Sequence, residues 1–125
     1  HTQIAKIFKH ALEEHRTQKI RALVFVGDAL EENADELCYL AGKFGVFNIP
    51  IFMFQEGNSN AVMSTFKQVA LLSGGAYAPF NSGSVKELQD LLSSVAVFVA
   101  GGHKALEKFE KSDRGRKILT LQLRK

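Results

Sequence analysis

The chain has one cysteine, Cys38, and no tryptophan. A single thiol excludes an intrachain disulfide and leaves no Cys-based zinc site, a usage that suits a reducing, cytoplasmic compartment. No apolar run approaches the roughly 20 residues that a membrane-spanning helix needs. The densest, "VAVFVAGG" from Val95, has the length of a buried helix end. No Walker-type loop and no Gly-x-Gly-x-x-Gly follows a strand-like run, which leaves out the usual phosphate cradles. Gly74-Gly75 precedes a strand and Gly101-Gly102 follows a helical run, so both are expected to stop helices. No secretory signal pattern is visible, and the chain opens on His1 rather than Met.

Strong charge is also missing. The 16 bases and 13 acids give a net +3, too mild to argue for nucleic acid. The bases gather late: Lys104, Lys108, Lys111, Arg114, Arg116, Lys117, Arg124 and Lys125 stand against Glu107, Glu110 and Asp113. This basic extension, residues 102–125, lacks the interleaved aromatics of a single-strand binder and is expected to be a solvated face.

What is present fits one domain of ordinary globular composition, 125 residues with 46% hydrophobic and 23% charged. Ten phenylalanines are expected to fill the core. Three short apolar runs, "ALVFVG" (22–27), "IPIFMF" (49–54) and "AYAPF" (76–80), alternate with helical patterns. The first two are almost continuously apolar, as strands buried on both faces are. Ile4, Ile7, Phe8, Ala11 and Leu12 mark one helix, and Leu37, Leu40, Ala41 and Phe44 a second, with Asn33 and Glu36 as a capping pair. Met63, Phe66, Val69 and Ala70 mark a third. Val85, Leu88, Leu92, Val95 and Val99 mark a fourth, opened by Ser84 and Glu87. Strands alternating with helices of this length predict a parallel sheet and an α/β, Rossmann-like three-layer fold. For "KILTLQLRK" at the end, the preceding helical "KALEKFEK" favours a helix over a strand.

Ligands of open parallel sheets bind beyond the carboxyl ends of the strands. That edge is expected to carry Asp28, then Gln55, Glu56, Gly57 and Asn58, then Asn81 and Ser82. Oxygen donors of this kind suit a hard cation such as Mg²⁺, Mn²⁺ or Ca²⁺. Between Asp28 and Glu36 there are five acids and no base. Glu31, Glu32, Asp35 and Glu36 fit a helix start, where the helix dipole favours carboxylates. Asp28, one residue past a buried strand, is open between a metal ligand, a phospho-accepting Asp and a solvated turn. Four histidines (His1, His10, His15 and His103) and Cys38 sit on helices or ends and build no nucleophilic triad, so no catalytic residues are expected.

The order "RALVFVGD", acidic loop and helix, "IPIFMFQEG", "LSGGAYAPF", "SVKELQDLL" resembles the second half of a von Willebrand factor A domain. The opening "HTQIAKIFKHALEE" is similar to that family's Thr-containing loop and following helix. The similarity spans roughly residues 1–101 and is strongest to bacterial cytoplasmic members. It implies a non-enzymatic protein-binding module with a metal-ion-dependent adhesion site, in which Thr2 and Asp28 would be metal-site residues and Gln55, Glu56 and Asn58 part of the partner surface. The family's Asp-x-Ser-x-Ser motif is absent from this chain, so that site is incomplete here. The family's first three strands are absent as well. The strand 22–26 would then have an open edge, which predicts a homodimer built by pairing it with its copy into a six-stranded sheet. Two other functions stand beside the leading one: a metal-independent assembly protein using that edge, and a receiver-like domain phosphorylated on Asp28.

Overall fold

The computed structural model describes residues 3–30, 33–113 and 118–123. The elements run α1 (Ile4–His15), β1 (Leu23–Gly27), α2 (Ala34–Val46), β2 (Ile51–Glu56), α3 (Asn60–Ser73), β3 (Ala76–Phe80) and α4 (Val85–Asp113). The three strands form one parallel sheet in the order β1-β2-β3, with Leu23 opposite Ile51 and Phe52 opposite Ala76. This is the expected α/β, Rossmann-like architecture. Among the described residues no helix is long and apolar enough to cross a membrane.

Each strand alternates its side chains between two cores. On one face Phe25, Ile51, Met53 and Tyr77 pack with α1, α2 and α3, where Phe8 meets Phe44 and Phe25 meets Phe66 edge-on. On the other, Phe52, Phe54, Ala76, Ala78 and Phe80 pack with Leu91 and Val95 of α4 and with Leu106, Leu119 and Leu123. β2 is therefore buried on both faces, which is why its sequence is nearly unbroken in apolar residues.

β2 begins two residues later than its apolar run, and the reason lies in how α2 ends. Asn48 takes a left-handed conformation (φ 60°), while the Ile49 N–H donates to Phe44 O at 2.9 Å and the Asn48 N–H to Gly45 O at 3.1 Å. This Schellman arrangement occupies Ile49 with closing the helix. Gly74 and Gly75 close α3 in the same way, through Ala70 O and Leu71 O. Gly75 has a second task. A Cβ there would run into the Ile51 backbone carbonyl, so only glycine lets β3 enter beside β2.

The Gly101-Gly102 stop is real but local. Gly102 leaves the helical region (φ 80°, ψ −166°), and helical backbone resumes at once to Asp113. Beyond Gly102 the chain is part of the core, since Leu106 and Leu119 are fully buried in it. Residues 118–123 form successive turns, neither the expected helix nor a strand. They are held by Glu110, whose buried carboxylate accepts from the Leu119 N–H (2.9 Å), the Thr120 N–H (2.9 Å) and the Thr120 hydroxyl. A carboxylate removed from water is tolerable where several donors meet it.

Two glycines give opposite outcomes. Gly75→Ala is expected to destabilise by about 3 kcal/mol, because the Ile51 backbone cannot yield. Gly42→Ala, inside α2 with open space around it, is expected to stabilise by about 0.5–1 kcal/mol through helix propensity. Urea unfolding of both variants checks the pair.

Candidate functional site

The carboxyl ends of the strands lie side by side: Gly27 faces Gln55 and Glu56 faces Phe80 in the ladder. The sheet thus brings Asp28, Gln55, Glu56, Asn58, Asn81 and Ser82 to one edge, while Thr2 lies outside the described residues, as do Glu31 and Glu32. The side chains there have different roles.

Gln55 is 0% exposed. Its amide donates to Ser59 O (3.0 Å) and accepts from the Tyr77 hydroxyl (2.6 Å), so it ties β2 to β3 and to the start of α3. That placement removes it from direct contact with a partner. Glu56 is half-buried and accepts from the Ser82 hydroxyl at 3.1 Å. Glu87 reaches back to the Asn81 N–H (2.8 Å), and its own N–H donates to Ser84 Oγ (3.3 Å), completing a cap on α4. Asn58 is exposed beside Gly57, whose φ of 91° suits glycine. Between these loops lies a shallow, open cleft of about 460 Å³ walled by Asn58, Pro79, Asn81, Ser82 and Glu87.

Asp28 is exposed and has no hydrogen-bond partner among the described residues. Asn33 caps α2 by accepting from the Asp35 and Glu36 N–H groups, and Glu36 pairs with Lys9 at 3.1 Å. These acids therefore belong to the helix start. No group of three His, Cys, Asp or Glu among the described residues could hold a metal ion. The described carboxylates at this edge are Asp28, exposed, and Glu56, which accepts from Ser82. Cys38 donates to Gln68 Oε1 at 3.4 Å, and burial together with the neighbouring Asp35 pushes its thiol up, away from the reactive thiolate. The His15 Nδ1 accepts from the Ile20 N–H (3.0 Å) and so shapes the turn into β1.

A second surface is the pair of sheet edges. The Leu23 N–H donates to Pro50 O (3.0 Å), so by strand alternation Leu23, Phe25 and Gly27 turn their backbone groups to β2 and Val24 and Val26 turn theirs outward. On β3 the Gly57 N–H donates to Phe80 O, so Ala76, Ala78 and Phe80 face β2 and Tyr77 and Pro79 face outward. Both outward positions of β3 are guarded. The Gln122 amide accepts from the Tyr77 N–H (2.8 Å) and donates to Tyr77 O (2.9 Å), as a neighbouring strand would. Pro79 has no N–H to offer. At β1 no described residue does the same, and Val26 is 39% exposed. Sequence reasoning missed this asymmetry, because the value of Gln122 depends on a turn that has no pattern of its own.

Comparison with known proteins found no match among family models, curated proteins or solved structures.

Burial raises the Tyr77 phenol above its ordinary value. A folded-state value above the unfolded one means that the neutral phenol favours the fold below the ordinary value, and that this is lost as pH rises through the folded one. Stability is expected to be insensitive to this group at neutral pH and to fall above about pH 10. Tyr77→Phe, which leaves the buried Gln55 oxygen without its donor, is expected to cost about 1–2 kcal/mol at pH 7 and to flatten the alkaline fall. Urea midpoints against pH measure both.

Proposed function

We propose that this chain is a non-enzymatic protein-interaction module whose working surface is the free edge of β1. The observation that carries this reading is the difference between the two edges. β3 is guarded by Gln122 and Pro79, whereas β1 presents the outward N–H and C=O groups of Val24 and Val26 with no described residue against them. An edge of this kind takes up an extended strand, with backbone hydrogen bonds giving affinity and side-chain fit giving selectivity. The edge lacks the usual deterrents, since no proline, bulge or lysine lies within "LVFVG". Strand pairing of this kind needs no metal.

A cation-assisted contact at the carboxyl end of the sheet is the second reading, favoured by the exposed carboxylate of Asp28, which has no partner among the described residues, next to Glu56 along the sheet edge. A partner carboxylate and the residues around Thr2 would then have to supply the remaining ligands.

The strand-edge reading is tested with a labelled synthetic peptide copying residues 21–28. It is expected to bind the wild-type chain and to fail with Val24→Pro, which removes an outward N–H and alters a half-buried side chain on the α4 core while sparing the backbone groups that bond to β2. No binding at about 1 mM peptide, or equal binding by a folded Val24→Pro chain, would contradict it. The cation reading predicts calorimetric heat with Mn²⁺ that Asp28→Ala abolishes; identical traces for the two chains would remove it.

A further inference from the structure

We infer that the strand taken up by β1 is β1 of a second copy, running antiparallel about a two-fold axis at Phe25, with Arg21 of each copy paired to Asp28 of the other. The inference rests on the strand-edge reading above and adds the occupant, its direction and its register.

The first observation is the distribution of charge along the strand. Lys19 and Arg21, both exposed, stand before β1, and exposed Asp28 stands just after it. β1 itself, Leu-Val-Phe-Val-Gly, is uncharged. A strand that is positive at its start and negative at its end is complementary to itself only when reversed. A parallel copy would set base against base and acid against acid, which like-charge repulsion disfavours. The second observation is the parity of the free backbone groups. Val24 and Val26 are the two strand residues that face outward, and antiparallel strands exchange both bonds between residues that face each other with outward groups. Placing Val24 opposite the copy's Val26 uses every outward group of the strand on both chains. In the same register Ala22 falls opposite the copy's Asp28, one residue from Arg21. Such a self-complementary patch is what a two-fold interface requires.

The third observation concerns where Arg21 already points. Its Nη1 donates to Val99 O of α4 at 2.9 Å, so the guanidinium lies on the α4 side of the sheet. Asp28 follows Gly27 just beyond the ladder, and by strand alternation Val26 points to the same face as Val24, which packs toward α4. A reversed copy would bring its Asp28 to that same side. This gives the lone carboxylate a counter-charge without a metal.

Sedimentation velocity on the full chain decides the question. Wild type is expected to dimerise. Arg21→Glu alone and Asp28→Arg alone each set like charges together twice per dimer, and each is expected to weaken association about tenfold at low salt. In an equimolar mixture of the two variants, the mixed dimer sets the new glutamate of one chain against the new arginine of the other. It also keeps one native pair, Arg21 of the one chain with Asp28 of the other, and wild-type affinity is expected to return. A dimer that neither variant weakens, but that Val24→Pro abolishes, would overturn the register and spare the strand-edge reading. A wild-type chain that stays monomeric at about 1 mM would overturn self-pairing, and the peptide experiment would then judge the strand-edge reading separately.

Discussion

A three-stranded sheet has two edges and only one interior strand, and the rest of this structure follows from how each edge is treated. β2 satisfies its ladder on both sides and is buried on both faces. The edge strands cannot. At β3 the solution is a sequence of dependent contacts. Glu110 is buried without exposed surface and gathers three donors from Leu119 and Thr120. The gathered turn buries Leu119 and Leu123 in the α4 core and aims the Gln122 amide at both backbone groups of Tyr77. Residues after the Gly102 break thus complete the sheet as well as the core.

The carboxyl end of the sheet is organised by a different requirement. Gln55 and Tyr77 are buried polar groups that must find partners, and they find each other and Ser59. Glu56, Ser82, Glu87 and Asn81 close the neighbouring loops in a similar way. Against this saturated background Asp28 stands apart as an exposed carboxylate with no described partner. The α2 cap accounts for Asp35 and Glu36 but leaves Asp28 outside it.

Much of the fold was legible in sequence because it depends on local pattern. Buried strands wrote continuous apolar runs, amphipathic helices wrote their periodicity, and Gly74-Gly75 marked a helix end. Boundaries failed where a backbone motif overrode composition, as when Ile49 closed α2 in place of opening β2. The candidate site was legible in position only. Topology placed Gln55 at the sheet edge, but whether its amide faced outward or joined Tyr77 depended on a strand 22 residues away. The Glu110–Thr120 and Gln122–Tyr77 contacts were invisible for the same reason: a charged residue in a basic, solvent-loving stretch gives no local sign that it is buried.

The most direct test is backbone hydrogen exchange followed residue by residue, in solution dilute enough to keep the chain monomeric. The account predicts a Tyr77 amide protected nearly as well as those of β2, fast exchange at Val24 and Val26, and loss of Tyr77 protection in Gln122→Ala. Equal protection of Val24, Val26 and Tyr77, unchanged by that substitution, would show that the two edges are not treated differently and would contradict the account at its base.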